Sequence, residues 1–203
     1  MIPLVCEGSE PVIVRKSREV VVQNDFGSFH LSSYQVFCDD RTELHGVLRT
    51  SSLEGTVPVR LNSACFTSEV LRDKRCDCAW QISEALQKFS RWQKGVLIYH
   101  FAHEGRGLGL MGKIACYQLM DQGHNAEDAA ATLGLPIDSR RFDSSAVILA
   151  DLRVKRVKLL TENPRKIAAL SAAGIEVAET EQLTNPDPDL AGYYEEKRRL
   201  FGL

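Results

Sequence analysis

Three cysteines spaced C-x10-C-x-C constrain this chain more than any other feature. Cys65, Cys76 and Cys78 lie in the stretch RLNSACFTSEVLRDKRCDCAWQ, which runs from Arg60 to Gln81. Thiols this close in sequence call for a disulfide or a metal. Buried structural cysteines are the plain alternative, because free cysteine is among the most buried residue types. Arg72, Asp73, Lys74, Arg75 and Asp77 make the segment too charged for an ordinary core. Lys74 and Arg75 also favour the thiolate, the form that binds metal. A structural zinc is normally closed by four protein ligands, whereas three leave a position for water. The expectation is therefore an open zinc site carrying hydrolytic chemistry. A fourth ligand from Cys116 or a histidine would close it and make it structural. Cys6 and Cys38 read as packing residues.

The totals narrow the setting. A chain of 203 residues, 44% hydrophobic and 26% charged, fits one globular domain with a real core. A net charge of -2 argues against general nucleic-acid binding. The apolar run GVLIYHF at 95–101 is too short to span a bilayer. The chain opens without a charged-then-apolar leader, so the cytoplasm is the expected compartment. In that compartment six cysteines point to metal rather than to a disulfide framework.

Along the chain, VIVRKSREVVV at 12–22 and FHLSSYQVF at 29–37 read as strands around the turn signal NDFG. DDRTELHG at 39–46 is expected to break the strand run, with HGVLRT and VPVRLNS following as further strands. Helical spacing begins near Thr67 and is clearest for Trp80, Ile82, Ala85, Leu86 and Phe89, ending before Gly95. GVLIYHF is a buried-strand run. Ile114, Tyr117, Leu119 and Met120 predict a helix closed by Gly123, and Asn125 caps a short alanine-rich one. SSAVILADL predicts a helix, VKRVKLLT a strand, and NPRKIAALSAAG a helix with Pro inside its start and Gly at its end. GIEVAET is a last strand, and YYEEKRRLFG a charged terminal helix. Strands first and mixed elements later predict an α+β fold with a β-rich N-terminal half.

Three further constellations carry chemistry. HEGRGLGLMGK exposes backbone N–H groups at Gly105, Gly107, Gly109 and Gly112 and adds Arg106 and Lys113, a combination that suits phosphate. It is not a P-loop, since the spacing and the Ser/Thr are absent. A plain turn explains its glycines equally well. DSRR at 138–141 reads as a solvated loop pair unless it lies beside the metal. TENPRK at 161–166 places Thr161, Arg165 and Lys166 at a helix start, where a cap with surface charges is the simpler reading. His100, His103 and His124 are acid–base candidates by residue type alone.

Taken together, SxCFT…RCDCxxQ, EGRGLGL, KIxxYQLMDQG, the DxR loop and LLTxNPRK resemble the GTP cyclohydrolase II family of riboflavin biosynthesis. The resemblance runs from Arg60 to Lys166, with a fainter echo at YYEEK. It implies that Cys65, Cys76 and Cys78 hold Zn²⁺ for hydrolysis at C8 of GTP, releasing formate. Pyrophosphate release from the triphosphate would follow with Mg²⁺. It implies Arg140 as nucleophile toward the α-phosphorus, Asp138 as its proton acceptor and Tyr117 in the zinc-dependent step. Arg60 to Ala64 (Ser63 among them), Gln81, Glu104, Gly105, Arg106, Ala126, Thr161 and Lys166 fall at nucleotide-contacting positions. The resemblance also implies a homodimer. The chain departs from the family pattern at Asn62, Ala64, Ser68, Glu69, Ala79, Ala126, Ala130 and Arg141, and an extra residue precedes EGR. Those departures leave open a paralogue with another nucleotide substrate, product or pathway, or a non-catalytic zinc-binding module.

Overall fold

Alternation in the front half and βα units in the back half build one sheet. The computed structural model describes residues 13–38 and 41–201, so Cys6 lies outside the described residues. The strands are β1 (Ile13–Lys16), β2 (Val20–Asn24), β3 (Gly27–Cys38), β4 (Arg41–Arg49), β5 (Val57–Ser63), β6 (Val96–His100), β7 (Arg156–Leu159) and β8 (Glu176–Thr180). Their order is β1-β3-β4-β6-β5-β7-β8, with β2 also paired to β3. Pairing is antiparallel from β1 to β6 and parallel from β6 through β5 and β7 to β8. The α+β expectation with a β-rich front half holds.

Seven helices connect and cover the sheet among the described residues: α1 (Phe66–Glu69), α2 (Cys78–Trp92), α3 (Gly109–Met120), α4 (Ala126–Thr132), α5 (Asp143–Asp151), α6 (Pro164–Ala172) and α7 (Ala191–Phe201). A kinked 3-10 segment, Phe101–Gly107, joins β6 to α3. Val57, Val59 and Leu61 of β5 pack with Val147, Ile148, Leu149 and Leu170 of α5 and α6, and partly buried Cys38 joins them. On another side Ala85, Leu86 and Phe89 of α2 pack with Phe29 and Leu97. No described helix is long and apolar enough to cross a membrane.

Two expectations need correction. The expected break at 39–46 is not there from Arg41 onward, because β4 pairs with β3 from Cys38↔Arg41 to His30↔Arg49. Glu43, His45 and Val47 alternate inward, with Thr42 and Leu44 outward. A charged residue and a histidine on the core face disguise the period-2 signal. In α3 the buried positions are Lys113 and Cys116, while Ile114 is 53% exposed. Polar contacts to the site, described next, override its apolar periodicity.

From β5 the chain steps to β6 on one side and later to β7 on the other. Such a reversal opens a crevice at the carboxyl ends of the parallel strands. Ser63 to Cys65, His100 to Arg106, and Thr161 to Lys166 follow those three strand ends.

Candidate active site

A cavity of about 460 Å³ occupies that crevice, a size suited to a small molecule. Arg60, Ser63, Cys65, Cys76, Cys78, Gln81, Gly105, Arg106, Tyr117, Arg140, Thr161 and Lys166 all line it. Glu104 and Asp138 stand behind its wall, each gripping a residue that lines it.

The three sulfurs meet at one corner. Cys65 Sγ is 3.7 Å from Cys76 Sγ, which is 3.5 Å from Cys78 Sγ. A disulfide would need about 2.05 Å. A tetrahedral zinc with Zn–S bonds of about 2.3 Å holds its sulfurs about 3.8 Å apart. The spacing fits the metal. Cys116 packs instead with Ala129 and Ala130 between α3 and α4, and among the described residues no fourth ligand joins the three cysteines. Hydrogen bonds from Cys76 and Cys78, with the Lys113 ammonium beside it, hold the Cys65 thiol far below its ordinary pKa. With that charge on Cys65, the Cys76 thiol is pushed up to about 11. A divalent ion here would favour all three thiolates.

Lys113, expected from the glycine-rich segment to serve phosphate, turns to the sulfur corner instead. Its Nζ donates to Cys65 Sγ at 3.1 Å and to Glu104 Oε1 at 2.7 Å. Burial opposes the charge, but Glu104 and the Cys65 thiolate raise its pKa above the usual lysine range. Glu104 Oε2 accepts from the Phe66 N–H at 2.6 Å. The Glu104 carboxylate is thereby committed to holding Lys113 on the sulfur corner. Lys113 and Tyr117 are spaced i, i+4 on α3, which was the sequence signal for a shared face. The Tyr117 hydroxyl lies 3.4 Å from Thr67 Oγ1, itself 3.8 Å from Cys65 Sγ. The Arg75 guanidinium covers the Tyr117 ring at 4.6 Å.

The glycines of the 3-10 segment serve close approach. Gly105 has φ +58, and a Cβ there would meet Lys113 Cβ at 2.9 Å. Gly107 has φ +88, and a Cβ would meet Ser139 Oγ at 2.8 Å. The segment thus closes on α3 and on the loop carrying Asp138 and Arg140, to which Arg106 O is tied by the Ser139 N–H at 3.0 Å. Arg106 itself has φ +59, a conformation costing a non-glycine residue roughly 1–2 kcal/mol.

Positive charge gathers across the cavity. Asp138 grips the Arg140 guanidinium at 2.9 and 2.7 Å, with side-chain exposures of only 8% and 12%. The solvated-pair reading of DSRR is therefore wrong. Burial alone would raise the Asp138 carboxyl, yet Arg140 and Arg165 hold it below the ordinary range. Arg165 braces this loop from outside through Arg140 O at 2.6 Å. Arg60 donates to Leu160 O, Gln81 Oε1 and Asn62 Oδ1. Lys166 Nζ donates to Leu61 O at 2.7 Å. Burial, then Arg60 and Arg140, push the Lys166 ammonium well below its usual pKa. Of the eight Lys or Arg side chains that line the cavity, Lys113, Arg140 and Arg75 are paired with Glu104, Asp138 and Asp121, while the buried Arg60 and Lys166 donate to neutral oxygens. Buried cations short of anionic partners are costly, and an anionic ligand relieves that cost.

Other functional positions escaped the sequence reading. Tyr193, Glu196, Lys197 and Phe201 of α7 line the cavity, and the YYEEK echo is the signal for the first three. Asp77, one of the charges of the cysteine segment, is nevertheless 2% exposed. Its Oδ2 accepts from Gln81 Nε2 at 2.7 Å and Tyr194 OH at 2.6 Å, fastening α7 to the cysteine loop. His103 lines the cavity, and burial lowers its pKa to about 3; His124 is exposed. The departures at Asn62, Ser68, Glu69 and Ala79 support one another. Asn62 Nδ2 donates to Glu69 Oε1 at 2.8 Å, Tyr99 OH to Glu69 Oε2, and the Ala79 N–H to Ser68 Oγ at 3.0 Å.

The GTP cyclohydrolase II family model matches residues 15–182. A protein of Actinobacillus succinogenes named GTP cyclohydrolase-2 is 38% identical over 192 residues, 93% of this chain and 87% of its own length. Riboflavin biosynthesis protein RibBA of Bacillus cereus strain G9842 is 38% identical over 174 residues, 86% of this chain and 44% of that protein. RibBA of Aquifex aeolicus is 35% identical over 191 residues, covering 94% of this chain and 47% of that one. The chain thus spans less than half the length of these RibBA relatives. Cysteine corner, cation-lined crevice and matched residues agree: the chain belongs to the GTP cyclohydrolase II family.

Proposed function

We propose that this chain is a zinc-dependent GTP cyclohydrolase II, opening the imidazole ring of GTP with release of formate and pyrophosphate. The product would be a diaminopyrimidine ribosyl monophosphate on the path to riboflavin. The observation that carries this reading is the cavity's polarity. Three sulfurs at zinc spacing stand at one corner, and under-partnered cations line the same space.

Cys65, Cys76 and Cys78 would hold the Zn²⁺, which when bound supplies Lewis-acid activation of water toward C8 of the purine. Three thiolates leave such a centre with net negative charge, which makes bound water less acidic. Lys113 offsets that charge at Cys65. The Tyr117 hydroxyl, 3.4 Å from Thr67 Oγ1, would hold a proton next to the sulfurs. Arg60, Arg106, Lys166 and Lys197 give the triphosphate its counter-charge, and Mg²⁺ arrives as the substrate's own companion. Arg140 faces the cavity with Asp138 in contact behind it, a pairing that suits attack at the α-phosphorus with proton transfer to the carboxylate. Ser63 and Thr161 complete the polar wall, and Gln81 fixes Arg60.

Two copies would associate through an apolar surface. Phe66, Val70 and Leu71 on and beside α1, and Leu110, Met111 and Ile114 on α3, are exposed, Met111 at 85%.

A paralogue acting on another purine nucleotide is the second reading. It is favoured by Asn62, Ala64, Ala126 and Ala130, departures that all line the cavity. Incubating the purified protein with GTP, Mg²⁺ and Zn²⁺ and identifying products by mass tests both. Equimolar formate and pyrophosphate support the first reading. A ring-opened product lacking either loss supports the second. Failure to turn over any purine nucleotide overturns both.

A further inference from the structure

Among the described residues, six buried side-chain nitrogen and oxygen atoms make no well-formed hydrogen bond, and five belong to one neighbourhood, where His45 and Ser144 stand close to the Glu43 carboxylate. They are Glu43 Oε2, His45 Nδ1 and Nε2, His100 Nδ1 and Ser144 Oγ; the sixth is Asp77 Oδ1. Protein interiors leave few such atoms, and a concentration of them calls for an explanation, a water or an ion among the candidates.

The sheet brings these groups together. Glu43 and His45 alternate onto the core face of β4, and His45 stands opposite His100 in the β4–β6 register. The two rings meet edge to face at 4.7 Å. Glu43 is 6% exposed and each histidine 1%. One ligand atom from each of the three lies within 4.8 Å of the others. Glu43 Oε2 and His45 Nε2 are 3.4 Å apart. An ion with tetrahedral bonds of about 2.0–2.1 Å separates its ligands by about 3.4 Å.

Two of the three ligands are also fixed from behind. Arg41 Nε donates to Glu43 Oε1 at 2.5 Å, and Arg41 is held in turn by Asp143 at 2.7 and 2.9 Å. Ser145 Oγ meets His100 Nε2 at 2.9 Å, leaving Nδ1 as the free nitrogen. Outer partners of this kind set ring orientation and tautomer in metal sites. Two imidazoles and one carboxylate, with no sulfur, suit divalent first-row transition ions.

We propose that Glu43, His45 and His100 form a second metal site, separate from the thiolate corner, for a divalent first-row transition ion. Its place explains a use. His103 stacks on His100 at 4.3 Å with ring planes 9° apart, and it lines the cavity. His103 Nδ1 is 3.3 Å from Ser63 Oγ, which accepts from Arg140 Nη1 at 3.2 Å. An ion between β4 and β6 would fix the floor beneath Arg140. Tetrahedral or higher coordination would be completed by water or by Ser144.

Cobalt(II) titrated into the Cys76→Ser chain tests this independently of catalysis, because that substitution breaks the three-sulfur set and any cobalt left on Cys65 and Cys78 would show thiolate charge transfer. The expected result is one equivalent of Co²⁺ with weak visible bands and no thiolate charge transfer. That equivalent should be lost when His45→Gln or Glu43→Gln is added. Binding of no cobalt by folded Cys76→Ser protein overturns the proposal, and so does binding indifferent to both added substitutions. Should either added variant fail to fold, anomalous scattering from wild-type crystals grown with Co²⁺ decides. A peak between Glu43, His45 and His100 supports the site. Water there, with cobalt only at the cysteines, overturns it.

Discussion

The thiolate corner and the Glu43–His45–His100 cluster flank the same floor, yet they are built in opposite ways. The sulfurs come from one local segment, face the cavity and touch one another and Lys113. The carboxylate and imidazoles come from β4 and β6, are shut in the core and leave their inner atoms without well-formed hydrogen bonds. On the readings proposed above, the open corner would hold a reacting ion and the closed, outer-braced cluster a permanent one. Substitutions at the first should therefore affect turnover before stability, and those at the floor between them should act through positioning.

The largest expected effect is at the corner. Cys76→Ser should abolish zinc binding at the cysteine corner and formate release while leaving the helix content seen by circular dichroism in place. Arg140→Ala, on the floor, should lower pyrophosphate release by about 10²-fold and ring opening much less, read by assaying the two products separately. Equal losses would place Arg140 in nucleotide binding alone. Lys113→Met should weaken zinc affinity or turnover by about 10- to 100-fold, measured by competition with a chelator and by kcat. That outcome separates Lys113 from a residue that merely packs.

Smaller effects concern the supports. Asn62→Ala and Glu69→Ala should show a coupling of about 0.5–3 kcal/mol in a denaturation cycle, since each removes the hydrogen bond the two share. The Asp138 carboxyl has a folded pKa below its unfolded value, so its stabilising contribution is present above about pH 4 and lost as pH falls through the folded pKa. The stability gap between the parent and Asp138→Asn should be constant near neutrality and shrink below about pH 4, followed by denaturant midpoints. A gap that widened in acid would mean that Arg140 and Arg165 do not hold Asp138 ionised.

Legibility in the sequence follows the same division. Local patterns were readable: the C-x10-C-x-C spacing, the apolar period of α2 and the Asn125 and Asn163 caps, whose side chains accept from Asp128 and Arg165 N–H groups. Features assembled across the sheet were not. Glu43 and His45 broke the alternation that would have extended β4, and only pairing with β3 and β6 shows why they are tolerated. The burial of Asp77 was not legible because the partner that buries it, Tyr194, lies 117 residues away. Ile114 carried the helical signal of α3, while the side chain that matters there is Lys113.

The central claim is that three cysteines and their zinc open the guanine ring in a cavity charged for triphosphate. Titrating Zn²⁺ into metal-free protein with GTP and Mg²⁺ present, while following formate, tests it most directly. Formate release should rise with zinc to a plateau set by occupancy of the cysteine corner and be absent at every zinc level in Cys76→Ser. Formate released by the metal-free protein, or equally by Cys76→Ser, would contradict the account.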